Sequence, residues 1–242
     1  MKNTVIRYQY DGSNFYGSQK QADKRTVQGE MEQALRFILK EKIRLISAGR
    51  TDRGVHALEQ VSNFDSRLTI PYDRLFLALS NLAPPDIGIL SVDEAEPAFN
   101  ARFSAKEREY RYVLTERKSP FTARYQTYVE RLPEIDRFRE IMAPLEGEHN
   151  FRNFMLVDTV EKNPVKNIFF IRMENIGDTL AVTVRGNSFG KSQIRLMLGA
   201  ALDVYWGKRP ADYIRRMLAE PDKLLERKLA PPNGLYLSRI IY

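Results

Sequence analysis

The sequence predicts an α+β protein made of two similar halves, each a split-βαβ (ferredoxin- or RRM-like) unit with helices on one face of a mixed, mainly antiparallel sheet. Short segments in which apolar and polar residues alternate indicate the strands, and two amphipathic stripes indicate the helices of the first half. The second half repeats this order less regularly. We expect the halves to join into one extended sheet with a central cleft.

The first strand and helix are the clearest elements. Ile6, Tyr8 and Tyr10 alternate with polar residues, which is the period of a half-buried strand. Thr26 suits a helix N-cap, and apolar residues follow Val27 at spacings of four, seven, eight, eleven and twelve. This spacing predicts an amphipathic helix that ends near residue 40.

The remaining elements complete both halves. In the first half we predict strands at 43–48 and 58–64, a helix that starts after Pro71 and is closed by Pro84-Pro85, and a strand at 87–92. In the second half we predict strands at 107–114, 125–130, 166–174, 179–185 and 235–241, with helices at 134–145 and 192–206. No segment has the composition of a flexible linker, so we place the boundary within 102–106, giving domains 1–104 and 105–242.

Composition narrows the classes of function. Lys and Arg number 38 against 31 Asp and Glu, and the formal charge of +7 suits a polyanionic partner, with nucleic acid before membrane, although solubility alone could explain it. The chain has no cysteine, and its two histidines, His56 and His149, lie far apart, so neither a disulfide nor a metal site is expected. No signal-like or bilayer-spanning run is found, which predicts a cytoplasmic protein.

An unusual loop, Gly49–Ala57, places Arg50 and Arg53 around the carboxylate of Asp52 between two predicted strands. It could be a simple turn whose polar side chains bond nearby amides while the arginines face water. The residues of the loop alone favour the turn, and a role in which the loop presents one carboxylate for chemistry needs further evidence.

The loop resembles the GRTDxGVHA signature of the tRNA pseudouridine synthase A family. Other segments resemble further motifs of this family in the same order along nearly the whole chain. These are Tyr10-Asp11-Gly12, Gly17-Ser18-Gln19, Thr26-Val27-Gln28 with Glu32, Phe99–Ala105, Tyr110-Arg111-Tyr112, Gly147–Phe151, Gly186–Phe189 and Ala230–Leu237.

The resemblance implies an enzyme that isomerises uridine to pseudouridine in structured RNA, tRNA in particular, without a cofactor or metal. Asp52 would be its catalytic nucleophile, since breaking a glycosidic bond builds positive charge that a carboxylate can stabilise or attack. The target nucleotide must be flipped out of its stack, and Arg50 would hold or replace it. Arg50 could instead contact phosphate or face solvent. Arg53 and His56, in the same signature, would also contact the RNA.

The second half would supply further site residues. Tyr110 corresponds to the tyrosine of the family that stacks on the uracil or assists proton transfer, and Arg195 to the arginine that pairs with the catalytic carboxylate. Leu235 would line the pocket and Lys191 would contact phosphate. Each has a plainer interpretation: Tyr110 shares a strand face with Tyr112 and Leu114, Arg195 could clamp a phosphate, and any core leucine would look like Leu235.

The sequence departs from the family pattern at Ser18, where tryptophan is expected, at Asn100, where histidine is expected, and over Gly190–Ile194. The resemblance implies positions 38 to 40 of the tRNA anticodon arm as target, and a homodimer. The departures leave open a divergent relative that modifies another RNA such as rRNA. The charge and the 13 Phe, 12 Tyr and one Trp would also suit a non-catalytic RNA-binding protein. A two-carboxylate hydrolase is weaker, because Asp52 has no evident acidic partner.

Overall fold

The structure, a computed structural model, describes residues 1–67, 69–156, 163–221, 223 and 226–242. The chain divides into two compact units, residues 1–106 with 236–242, and residues 107–235. The described residues form ten strands and five α-helices, with both parallel and antiparallel strand pairs. The predicted α+β class is therefore confirmed. None of the helices in these ranges has the length and apolar character needed to cross a membrane.

The sheet of the first unit is centred on β1 (Lys2–Tyr10), which pairs antiparallel with β3 (His56–Ser66) on one side and β4 (Ile87–Glu94) on the other. The short β2 (Ile46–Ser47) adds to β3. The last strand, β10 (Leu235–Ile241), pairs parallel with β3 and sets Tyr236 opposite His56. The end of the chain thus lies beside the strand that follows the Asp52 loop.

Two helices form the apolar core of the first unit together with its sheet. They are α1 (Val27–Leu39) and α2 (Tyr72–Leu82), and both confirm the predicted amphipathic segments. As predicted, Thr26 caps α1, its hydroxyl accepting a hydrogen bond from the Gly29 amide. The helix ends at Leu39, and the C-cap residue Lys40 adopts a left-handed conformation. The fully buried side chains of this unit include Ile6, Tyr8, Met31, Leu35, Phe64, Leu75 and Leu79.

The strand predicted at 43–48 is only two residues long. Ile43 and Leu45 are buried as an inward-facing strand pattern requires, but the amide of Leu45 donates to the side chain of Glu32 at 3.1 Å. Because a buried side chain takes this backbone donor, the chain joins the sheet ladder only from Ile46.

The second unit has four antiparallel strands in the order β5 (Glu107–Thr115), β9 (Thr179–Gly186), β8 (Val165–Ile176) and β7 (Gly147–Asn150). The two-residue β6 (Thr127–Tyr128) pairs parallel with β5 and is shorter than predicted. Three helices complete the unit: α3 (Ile135–Met142), α4 (Gln193–Tyr205) and α5 (Tyr213–Ala219). The strand β7 and the helix α5 were not predicted.

Helix α4 is buried along nearly its whole length. Gly199 permits this, because a Cβ there would overlap the carbonyl oxygen of Lys228. Arg195 is a half-buried exception on this apolar helix. A charged group at such a position needs partners, which the site geometry supplies.

Candidate active site

The backbone just before Asp52 is held by three hydrogen bonds. The Thr51 amide donates to the Ser18 hydroxyl at 2.8 Å, and the Ser18 amide donates back to the Thr51 carbonyl at 3.1 Å. The hydroxyls of Thr51 and Tyr10 are 2.8 Å apart and bonded. All three side chains are buried. The peptide that carries Asp52 therefore has a defined position in the first unit.

The loop also closes tightly after Asp52. The Val55 amide donates to the Asp52 carbonyl at 3.2 Å, and Gly54 has a φ of 78°, which favours glycine. The segment that follows β1 approaches the loop closely, since a Cβ at Gly12 would overlap the Val55 carbonyl oxygen. The same segment places Gly17 where a Cβ would lie 2.9 Å from the Thr51 carbonyl oxygen. Close backbone contact thus shapes this loop in addition to the hydrogen bonds from Ser18 and Tyr10.

The charged side chains of the loop differ in exposure. Asp52 is half-buried, whereas Arg50 and Arg53 are exposed. The Arg53 guanidinium lies 4.4 Å from the centre of the Tyr16 ring, a cation–π contact. Desolvation, and then the positive charge of Arg102, lower the pKa of the Arg50 guanidinium from its usual value. Two like charges on neighbouring segments favour an anion beside them.

Arg102 was not among the predicted site residues. It belongs to the Phe99–Ala105 motif, and its proximity to Arg50 is a tertiary relationship between residues 52 positions apart in sequence. In the sequence, only its place in that motif indicated that Arg102 has a functional role.

His56 is buried, with 1% exposure. Its Nδ1 accepts a hydrogen bond from the Gly12 amide at 3.0 Å, and its ring stacks on Tyr236 at 4.8 Å between centres. The ring therefore ties the end of the Asp52 loop to the segment after β1 and to β10.

In the second unit, Tyr110 lies on β5 opposite Val184 of β9 and is 8% exposed. The ring of Phe189 packs edge-on against it at 5.2 Å between centres. Tyr112 and Leu114 share the buried face of the strand, as the alternation predicted. Phe189 of the Gly186–Phe189 motif thus orients the tyrosine ring.

Arg195 and Tyr112 hold the same short segment. The Arg195 Nε donates to the Ala230 carbonyl at 2.8 Å, and the Ala230 amide donates to the Arg195 carbonyl at 3.0 Å. The Tyr112 hydroxyl donates to the carbonyl of Pro231 at 2.9 Å. Burial raises the pKa of the Tyr112 phenol, and the nearby positive charge of Arg195 partly offsets that rise.

The segment continues into β10. Gly234 accepts a hydrogen bond from the Val113 amide at 2.9 Å, and a Cβ there would lie 2.6 Å from the Val113 carbonyl oxygen. Leu235 follows and is 4% exposed. Its amide donates to the Pro232 carbonyl at 2.9 Å, closing the turn that begins the strand.

Asn100 and the Gly190–Ile194 segment, which depart from the family pattern, make hydrogen bonds to residues close in sequence. The Asn100 side chain accepts from the amides of Arg102 and Phe103 at 3.1 Å each. The Gly190 amide donates to the Gln193 side chain at 2.8 Å, and a Cβ at Gly190 would overlap the Met155 side chain. Lys191 is exposed within this turn.

In the ranges that the structure covers, no group of three or more His, Cys, Asp or Glu side chains could hold a metal ion.

Comparison with known proteins places these features in a family. A family model described as tRNA pseudouridine synthase matches residues 6–104 and 141–242. A protein of Bacillus pumilus named tRNA pseudouridine synthase A is 40% identical over 237 residues, covering 96% of each chain. A protein of the same name from Caldicellulosiruptor bescii is 35% identical over 247 residues and covers both chains fully. One from Listeria innocua is 38% identical over 238 residues, with 96% of each chain covered.

A solved structure, a Cbf5-Nop10-Gar1 complex, has a chain that matches at a TM-score of 0.36 and 11% identity, covering 85% of this chain and 54% of that one. A match this weak supports no conclusion about fold or function. The sequence relatives, in contrast, span nearly the whole length, and the family model matches most of the chain in two segments. The chain belongs to the tRNA pseudouridine synthase family.

Proposed function

We propose that this protein converts uridine to pseudouridine at positions 38 to 40 in the anticodon arm of tRNA, with Asp52 as the catalytic nucleophile. The observation that supports this most is the anchoring of the Asp52 peptide by Ser18 and Tyr10 through Thr51. Because this peptide is constrained, its carboxylate is preorganised relative to a bound ribose. A catalytic group requires such a fixed position.

The chemistry suits a single carboxylate. The bond from the ribose to the uracil nitrogen breaks, the base turns, and a bond forms from the ribose to a ring carbon. That carbon loses its hydrogen, and the released nitrogen gains one, so substrate and product are isomers. Asp52 either stabilises the positive charge that develops on the ribose or attacks its anomeric carbon. The step consumes no cofactor.

The target base has to leave its stack, which costs a few kcal/mol. Arg50 is exposed beside Asp52, and we propose that it holds or replaces the extruded nucleotide. Arg102, whose positive charge acts on Arg50, would then share a phosphate with it. Arg53 lies over Tyr16 and would contact the RNA at the edge of the loop.

The residues of the second unit keep the roles that the family resemblance implies. Tyr110 would contact the uracil or assist proton transfer, Arg195 would pair with the catalytic carboxylate, and Leu235 would form an apolar wall. Lys191, exposed in the turn before α4, would contact phosphate. His56 is too buried for RNA contact in this conformation, so we propose that it supports the loop through Gly12 and Tyr236.

Tritium release from a transcript labelled at the reacting carbon of uridine tests the chemistry. Asp52→Asn should abolish release, because the amide is neither a nucleophile nor a negative charge. Asp65→Asn is the matched control, since Asp65 is an exposed aspartate on β3, and it should release tritium at the unmutated rate. RNA binding without release by the unmutated protein would instead indicate a non-catalytic RNA-binding protein.

A pseudouridine map of total RNA from a deletion strain tests the target. We expect the signals at positions 38 to 40 of tRNA to disappear. Unchanged tRNA with a missing rRNA site would show that the departures at Ser18, Asn100 and Gly190–Ile194 mark a divergent enzyme.

We also propose that the protein acts as a homodimer in the cytoplasm. Light scattering at micromolar concentration tests the first part, and a monomeric mass would contradict it.

A further inference from the structure

A groove of about 880 Å³ lies on the first unit beside the start of α1. Residues from three stretches, 19–20, 24–36 and 42–44, line it, and we call it the α1 groove. Its lining includes six basic and two acidic side chains. None of these lining residues belongs to the site proposed above.

Both acidic side chains of the α1 groove are already neutralised. Glu30 pairs with Arg25 at 3.0 Å. Glu32 is buried and accepts from the Lys20 ammonium at 2.8 Å, from the Gln28 side-chain amide at 2.8 Å and from the Leu45 amide at 3.1 Å. Arg25 in turn binds Asp86 through two hydrogen bonds of 2.7 and 2.9 Å. These contacts fix the walls of the groove and neutralise its two carboxylates.

The remaining cations face solvent. Arg36, Lys42 and Arg44 are exposed, and none of them forms an ion pair with another residue in the described part of the chain. Like charges gathered around one concave surface attract a polyanion, because binding neutralises their mutual repulsion and releases condensed counterions.

Shared contacts link the α1 groove to the Asp52 loop. Lys24, a groove residue, lies 4.8 Å from the centre of the Tyr16 ring, and Arg53 of the loop lies 4.4 Å from the same ring. Gln19 and Lys20 directly follow Ser18, whose hydroxyl accepts from the Thr51 amide. One ring and one short segment thus join the positive charge of the groove to that of the loop.

We propose that the α1 groove binds the phosphodiester backbone of the RNA substrate, a second contact on the strand that presents its nucleotide to Asp52. This inference rests on the proposed function. Phosphate contacts position a nucleic acid without reading its sequence, so the groove would set affinity and register, and the loop would select the nucleotide.

The test is filter binding of an unmodified tRNA transcript across a range of salt concentrations. Lys42→Gln/Arg44→Gln removes two exposed cations of the groove, and Arg74→Gln/Arg215→Gln removes two exposed arginines on α2 and α5 as a control of equal charge. We expect the groove variant to raise Kd about tenfold near 0.1 M salt. It should also flatten the dependence of log K on log salt by roughly 0.7 to 0.9 for each lost contact.

Binding equal to that of the unmutated protein, or weakened no more than in the control variant, would overturn the α1 groove proposal. Filter binding does not depend on turnover, so the two proposals fail separately. Tritium release without a groove effect rejects only the groove, and a groove effect without tritium release rejects only the enzymatic function.

Discussion

The hydroxyl of Ser18 accepts a hydrogen bond from the amide of Thr51 at 2.8 Å, one residue before the proposed nucleophile. Ser18 stands where the family signature has tryptophan, and it is 6% exposed. The substitution thus provides a buried acceptor for a buried amide, which would cost about 1 to 3 kcal/mol if left unpaired.

Ser18→Ala should therefore lower kcat by about tenfold, because the Thr51–Asp52 peptide gains freedom to leave its reactive position. KM for tRNA should change much less, since no proposed RNA contact is removed. Steady-state tritium release measures both. Ser80→Ala, at an exposed serine of α2, is the control and should keep both constants. A Ser18→Ala enzyme with unchanged kcat would show that the backbone bond from Ser18 to Thr51 suffices.

Gly12→Ala should reduce stability by about 1 to 3 kcal/mol and reduce activity as well, because the new Cβ would overlap the Val55 carbonyl in the Asp52 loop. Gly177→Ala is the contrast, since Gly177 has a φ of 59° but nothing within 4 Å of a Cβ. It should cost only about 1 kcal/mol of backbone strain. Urea unfolding and tritium release separate the two effects, and full activity in Gly12→Ala would mean that the loop accommodates the shift.

Tyr112→Phe should change the pH dependence of stability. Burial raises the pKa of Tyr112 above the 10.0 of an unperturbed tyrosine, so the folded protein keeps a proton that the unfolded chain loses first. The stabilisation from this tyrosine is complete below about pH 10 and is lost as the pH rises from there toward the folded-state pKa.

At pH 7 the phenylalanine variant should be less stable by about 1 kcal/mol, because the Pro231 carbonyl loses its donor. At pH 11 this difference should shrink. Urea unfolding at both pH values measures it, with Tyr128→Phe, at a tyrosine that is 41% exposed, as the control. An equal difference at both pH values would contradict the assigned effect of burial.

Arg50→Ala should lower kcat/KM on folded tRNA by roughly 10- to 100-fold, since a flipped base then lacks the side chain that fills or holds its place. On a short unstructured oligonucleotide, where little stacking is lost, the decrease should be smaller. Arg74→Ala is the control on an exposed helix position. Equal losses on both substrates would mean that Arg50 contributes only phosphate contact.

Local sequence patterns were enough to predict the secondary-structure elements with strong periodicity. The alternation around Ile6 and the Thr26 cap before an apolar stripe depend on neighbouring residues, and β1 and α1 confirm both. The strand β7 and the helix α5 were missed because they have only four and seven residues, too few to establish a period in the sequence. The strand at 43–48 was predicted too long because Glu32 takes the Leu45 amide.

The motifs of the sequence by themselves determined the family and singled out Asp52 as the candidate nucleophile, because a catalytic carboxylate must keep its residue type and its immediate neighbours. Only the tertiary structure decided what holds that residue in place. Ser18 bonds to Thr51 across 33 positions, and β10 returns from the end of the chain to pair with β3. Contacts between such distant segments form only when the chain folds, so no local pattern of residues encodes them.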